Sequence, residues 1–545
     1  MDVCICNKIS GGHGTQLCGL IKCLAFPPPP QVLTPLLVRL LDLVKFFLPI
    51  LPEVEFPFEK TKFDERIVFT VGSALIFLLG QLPIYGLIPQ AQFHLQDPFY
   101  QFRLIFAMEK ATLLELGLLP IITSGFLWQL GAGLKLININ LSLRYDRELF
   151  QSGQKLTSWG IAIVFTLGLI YSGYYDDVIR GYDLVPKNNG SFSSSSLSSS
   201  LPLGSYFIIF LQVVSWQVIV SLLVEIFDKG YGFGSGILCF LTLQNATNFI
   251  ADLIGLEMYP VLNSNKFESL GALMNLVRQF SIFNLKSTSW QIWHAFTRIQ
   301  LPNLTQFYIA FASVFVVIAL QNFRVDIPIR STKVRGMNQM FPIRLLYTGG
   351  LPLLFAYSVV ANIQIVGYIL FSVLVKLGAP PLVITLLGNY IVQPSSNRLV
   401  LTGGVLYYLS PELTLLASLA SPIRTVTYSL TIVCLSVWFA FKWSYISGSS
   451  PKDVAKQFKD QGISIAGKRD ISIAKELSKI IPTAAVTGAF ALSVLAVAGD
   501  YLGGLGKNGA IIIGVSSAFG ILEEFMVEYQ QATGSQFSSA LSGAQ

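Results

Sequence analysis

Catalysis by acid, base or metal needs histidine, cysteine or carboxylate groups held close together, and this chain of 545 residues keeps them apart. Its three histidines, His13, His94 and His294, are far from one another, and none stands at ligand spacing from a carboxylate or a cysteine pair. Of the six cysteines, Cys239 and Cys434 fall inside apolar runs as small core residues, and Cys4, Cys6, Cys18 and Cys23 have spacings that suit a zinc site poorly. The glycine-rich stretch 230–236 lacks the Gly-Lys-Ser/Thr of a phosphate loop. Acids stand at span ends (Glu115, Glu225, Glu523, Glu524), but no ionisable pair lies mid-span as a proton relay would need. These residues predict no enzyme, no metal and no cofactor. An ion-coupled secondary transporter of small solutes remains as the alternative, although it would need a midplane site built from broken helices.

The chemistry that is concentrated is anion binding. Segment 442–482 carries eight basic residues against four acidic ones, in a chain whose net charge is +7. Such a loop, held between two apolar runs, is read in two ways. It fixes topology by standing on the cytosolic side, or it receives a large anion such as RNA.

The elements that hold this loop belong to a membrane protein. Hydrophobic residues make up 52% of the chain and charged ones only 12%, about half the share usual in soluble domains. The mean hydropathy is +0.60. About ten apolar runs approach the ~20 residues needed to cross a bilayer. They fall near 67–85, 112–134, 156–173, 203–227, 236–254, 303–321, 350–375, 424–441, 482–501 and 508–522. Ahead of them, residues 1–34 form an extension ending in Pro27–Pro30, and 35–66 hold an amphipathic surface helix with its lead-in. Asp97-Pro98 opens a short amphipathic helix through Lys110, between the first two spans. The serine run Ser191–Ser200 reads as flexible linker, with an unused glycosylation sequon at Asn189. Segment 376–423 has no clear span, and the tail 529–545 is polar. With both termini cytosolic, 25 of the 37 Lys and Arg residues lie inside. Segment 256–302 is the exception, with four basic residues on the far face against Glu257 and Glu268.

The pattern KDVAKQFKDQG at 452–462, followed by GKRD at 467–470, resembles the cytosolic loop between spans eight and nine of the SecY family. DRELFQ (146–151), KGYGFGSG (229–236) and PIRSTKVRG (328–336) agree, in order, and the resemblance covers about 35–530. LPILPEVEFPFEK (48–60), YTGG (347–350) and EYQQ (528–531) look more like a second, non-essential translocon alpha subunit of yeasts than the principal one. The resemblance implies an all-α polytopic channel of ten helices in two pseudo-symmetric halves, 67–255 and 303–528. It implies passage of nascent polypeptides across, or laterally into, the endoplasmic reticulum membrane. The implied partners are the ribosome, small beta and gamma subunits, nascent chains with their signal sequences, and the lipid bilayer.

It also implies site residues. A pore ring matches Leu118, Ile122, Ile237, Leu241, Leu354 and Ile513, all aliphatic, although each alone reads equally as helix packing. Segment 97–110 matches the plug beneath the ring. Polar positions of a lateral gate between spans two and seven match Thr123 and Asn362, while Phe165 in span three stands where the family usually has glutamine. Lys333 and Arg335 in the 322–349 loop, with Lys468 and Arg469 in 442–482, match ribosome-binding positions.

Overall fold

The computed structural model describes residues 40–59, 61–87, 97–134, 136–137, 144–175, 203–260, 267–279, 285–298, 301–331, 338–393, 398–412, 415–446, 450–461, 463–465, 470–504 and 507–533. The calls on 1–34, on the serine run and on Asn189 lie outside them.

The apolar runs become helices. After a short surface helix, α1 (Leu40–Phe47), come α2 (Phe63–Leu79), the single turn α3 (Tyr100–Arg103), α4 (Leu119–Gly133), α5 (Arg144–Ser172), α6 (Leu203–Asp228) and α7 (Gly236–Ile254). The second half holds α8 (Leu304–Asn322), α9 (Leu351–Lys376), α10 (Pro422–Ile446), α11 (Pro451–Gln461), α12 (Asp470–Gly499) and α13 (Lys507–Thr533). Eight of these are long and apolar enough to cross a membrane. The other two that make up ten, α2 and α4, have 17 and 15 residues. At ~1.5 Å per residue both fall short of the ~30 Å hydrocarbon core. For α4 the shortfall has a cause. Residues 112–118 form turns, Gly117 sits at φ +51°, and the helix starts only at Leu119-Pro120, among buried side chains.

Three helices outrun the apolar pattern, among them α13, which continues to Thr533. Polar DRELFQ extends α5 back to Arg144, because Leu149 and Phe150 on one face of it are buried. Pro482 was expected to open the ninth span, yet it lies inside α12, which begins at Asp470. Thirty residues span ~45 Å, so the first turns of α12 stand clear of the bilayer.

The two basic loops fold as one unit. Strand β3 (Arg324–Ser331) pairs antiparallel with β4 (Asn338–Arg344) on one side and with β7 (Ile463–Ile465) on the other. Ile327, Ile343, Val454, Phe458, Ile473, Leu477 and Ile481 make a small separate core beneath this sheet. The two basic loops therefore join each other before they join the membrane part. On the opposite face two hairpins form, β1 (Met258–Pro260) with β2 (Phe267–Ser269) and β5 (Tyr390–Gln393) with β6 (Arg398–Leu401). Segment 376–423 contains only short helices besides its hairpin, the longest being Pro381–Leu387.

Candidate pore and lateral seam

Six aliphatic positions from four helices lie in or against one large buried core. Leu118 and Ile122 at the start of α4, Leu241 in α7, Leu354 in α9 and Ile513 in α13 are buried in one cluster, and half-buried Ile237 packs against it. On the side of the basic loops a cavity of about 550 Å³ opens between the start of α7, residues 341–351 and the second half of α13. Leu238, Leu351 and Ser517, each close in sequence to a ring position, help to line it. From the other side the segment between α2 and α4 fills the space, with Phe102, Ile105 and Phe106 in the same cluster as the ring positions.

That segment is helical only over Tyr100–Arg103, not through Lys110 as its composition suggests. Ala107 and Ala111 take positive φ (51° and 60°), which ends the helix. What fixes it instead is a buried ionic knot. Arg103 Nε donates to Asp97, its Nη2 donates to Glu115 Oε1 at 2.8 Å and to the Tyr174 hydroxyl at 2.7 Å, and Nη1 donates to the Glu115 carbonyl at 3.2 Å. Burial opposes charge on both Asp97 and Arg103, but their attraction outweighs it. The carboxyl is held below its ordinary value and the guanidinium well above. The backbone is locked as well, by Leu118 N donating to the Phe106 carbonyl at 2.9 Å. Gly117 is required beside it, since a Cβ there would lie 2.4 Å from that same oxygen.

The predicted gate residues also meet. Asn362 Nδ2 on α9 donates to Thr123 Oγ1 on α4 at 2.9 Å, across 239 residues of chain. One turn along, Phe126 lies edge-on to Phe355 at 5.2 Å. Phe165 is buried in the central cluster and brings no polar group to the seam. Further out, α5 continues the contact with α9, where Lys376 Nζ donates to the Tyr171 carbonyl at 2.7 Å.

The opposite seam, where α7 meets α13, is joined differently. Asn245 Nδ2 donates to the Ala510 carbonyl at 2.8 Å, and Lys507 pairs with Asp252 at 2.5 Å. At the end nearer the basic loops Arg66 of α2 reaches Glu524 at 3.0 Å, Glu528, and the carbonyl of Gly232. Phe63, Phe233, Phe525 and Tyr529 surround this clasp. The KGYGFGSG stretch supplies Gly232 and Phe233 to it, turning at Gly230 and Gly234 with φ of +91° and +70°.

Sequence reasoning noted the acids at span ends and missed their partners. Glu115 has Arg103, Glu225 has Lys155 at 2.6 Å, Glu523 has Arg344 at 2.6 Å and Glu524 has Arg66. The signal was present, since a carboxylate in an oily chain needs a cation nearby. Lys333, Arg335, Lys468 and Arg469 lie outside the described residues. The strands and helix that flank them, β3, β4, β7 and the start of α12, belong to one folded unit.

The family model for SecY matches residues 112–522, and the one for the plug domain of Sec61p matches residues 75–110. The Sec sixty-one protein homolog of Saccharomyces cerevisiae is 40% identical over 497 residues, covering 91% of this chain and 96% of the relative. The protein transport protein SEC61 subunit alpha of Yarrowia lipolytica is 37% identical over 491 residues, covering 89% and 97%. Among solved structures, the idle yeast Ssh1 complex bound to the yeast 80S ribosome aligns with a TM-score of 0.69 at 37% identity, over 91% of this chain and 96% of that one. A protein-conducting channel aligns with a TM-score of 0.67 over 92% and 99%, at 22% identity, which speaks for the fold alone.

Proposed function

This chain belongs to the SecY family, and from that premise we propose that it is the channel subunit through which nascent polypeptides cross the endoplasmic reticulum membrane or leave it sideways into lipid. The observation that carries this reading is the single buried cluster in which six aliphatic positions from four helices meet a folded-in segment of the same chain. A narrow apolar constriction bars hydrated ions, because water withdraws from it, while branched side chains can yield to a moving polypeptide. The channel does no chemistry of its own. Leu118, Ile122, Ile237, Leu241, Leu354 and Ile513 form the seal, and segment 97–110 is the plug. Thr123 and Asn362 hold the lateral gate, with Phe165 making it more apolar.

The partners are the ribosome and the small beta and gamma subunits. Lys333, Arg335, Lys468 and Arg469 contact ribosomal phosphate, for which the planar fork of arginine is suited. Both termini face the cytosol, and chain elongation on the ribosome supplies the drive.

The test is electrical. Replacing Ile122, Ile237 and Ile513 together with glycine should raise resting ion conductance in planar bilayers, because the constriction widens and wets. Unchanged conductance would make these positions packing only. Gradient-driven uptake of a sugar or amino acid by the wild-type protein would point to a transporter instead.

A further inference from the structure

The face opposite the basic loops carries a structure for which the channel has no use so far. Between α7 and α8 the chain forms the β1–β2 hairpin and two amphipathic helices, Ala272–Gln279 and Leu285–Thr297. Their inner faces pack together, with Ala272, Ala295 and Leu304 buried and Leu276 and Phe296 against them. Both helices also present apolar side chains outward, beside exposed Arg278 on the first. Leu273 and Val277 are exposed on the first helix, and Trp290 and Trp293, one turn apart, are 68% and 63% exposed on the second.

This surface is held in a fixed attitude. Buried Arg298 donates to the carbonyls of Ser269 (2.9 Å), Leu270 (2.8 Å) and Pro302 (3.0 Å), and it lies 3.7 Å from Glu268. One of the basic residues that seemed out of place on this face is thus a structural tie. Gly271 crosses Gly255 so closely that a Cβ would lie 2.6 Å from the Gly255 nitrogen. Asn303 caps α8 through Gln306 N at 2.9 Å and donates to the Arg298 carbonyl at 3.1 Å. The helix bearing the tryptophans therefore cannot swing independently of α8.

The exposed face is continuous with the lipid-facing side of α8. Phe315 lies against Phe311 at 4.8 Å, and both are exposed on that span. Phe311 stacks near Phe307, Phe307 lies against Tyr308, and Tyr308 stacks on Phe296 at 6.0 Å. Trp293 stands one turn before Phe296. These contacts lead from the middle of a membrane span to Phe296, on the helix that bears the two exposed tryptophans. Tryptophan is the residue that settles at the membrane–water boundary, where its ring meets the acyl chains and its N–H meets the headgroups. Amphipathic helices with such a face lie in the plane of that boundary.

We propose that the Trp290–Trp293 face, with Leu273 and Val277 of the neighbouring helix, is seated in the headgroup region of the leaflet opposite the basic loops, as an interfacial anchor. The anchor ties the only connection between the two five-helix halves to that leaflet. It rests on the membrane-spanning reading of α7 and α8, not on what passes through the pore.

The test uses the full-length chain in phosphatidylcholine nanodiscs, compared with the W290F/W293F variant, which keeps the face apolar and so spares the fold. The emission lost in the variant is that of the two tryptophans. It should be quenched by lipids brominated near the headgroup more than by lipids brominated deep in the chains, and shielded from aqueous iodide. Ready quenching by iodide in the nanodisc would overturn the proposal, because the face would then stand in water. Shielding that is absent in nanodiscs but present in native microsomes would also overturn it, since a protein partner would then be the occupant.

Discussion

Two seams join the halves of this molecule, and they are built to opposite specifications. Where α7 meets α13, polar groups are spread along the whole contact. There is the Lys507–Asp252 pair at one end, the Asn245–Ala510 bond within, and the Arg66 clasp on Glu524 and Glu528 at the other end. Where α4 meets α9, the described residues show one interhelical hydrogen bond, Asn362 to Thr123, amid aromatic contact. Hydrogen bonds between membrane helices contribute only about 0.6–2 kcal/mol each, whereas stripping a buried ion pair of one member costs roughly 3–5. One seam is therefore a fixed joint, whereas the other, on the gate reading proposed above, is a latch held by this bond and, where α5 continues it, by Lys376 on the Tyr171 carbonyl. A signal helix that offers apolar surface in place of the Phe126–Phe355 contact would have those bonds to break.

The largest expected effect lies at the fixed joint. Arg66→Ala strands two carboxylates and a carbonyl, and we expect a loss of roughly 3 kcal/mol, tempered because the Glu524 side chain is 40% exposed. Thermal unfolding of the purified protein measures it, and an unshifted midpoint would break the comparison at once. Asn245→Leu should cost less, about 1 kcal/mol, since it removes one bond between membrane helices. It should leave client insertion as it was, which a glycosylated reporter would read. Asn362→Leu should change stability least, by less than about 1 kcal/mol. It should nevertheless alter insertion of weakly hydrophobic signal sequences while strong ones pass as before. If Asn362→Leu destabilises as much as Arg66→Ala, the two seams are alike and the contrast is void.

These differences show what a sequence can display. Apolar length located the eight long spans, because the bilayer sets one requirement for them, and α7 falls on residues 236–254 as its run predicts. The Thr123–Asn362 contact was legible through resemblance, since it lies between two helices the family pairs. The ionic knot at Arg103 was not, because Asp97, Glu115 and Tyr174 meet only once the intervening chain has turned back on itself. The β3–β4–β7 sheet was hidden for a related reason. Val325, Ile327 and Ile329 alternate over too few residues to stand out, and β7 has only three, so pairing with a distant partner makes each a strand. Pro482 misled because its usual effect as a breaker is outweighed by the burial of Leu477 and Ile481 on one side and Ala485 and Ala489 on the other.

The segment proposed as the plug is anchored through Leu82–Ile84 before it and Gly117–Leu118 after it by backbone hydrogen bonds. Once pushed aside it remains tethered at both ends, so its return is a first-order event whose rate does not depend on how many channels the membrane holds. Loops of about ten residues close in about 10–100 ns, and a threefold longer loop adds only about 1 kcal/mol of closure entropy. The search for the closed position is thus fast, and the slower step is the reassembly of Arg103 with its two carboxylates in a dry site. On the plug reading proposed above, that reassembly would set the time for which the membrane stands open between clients.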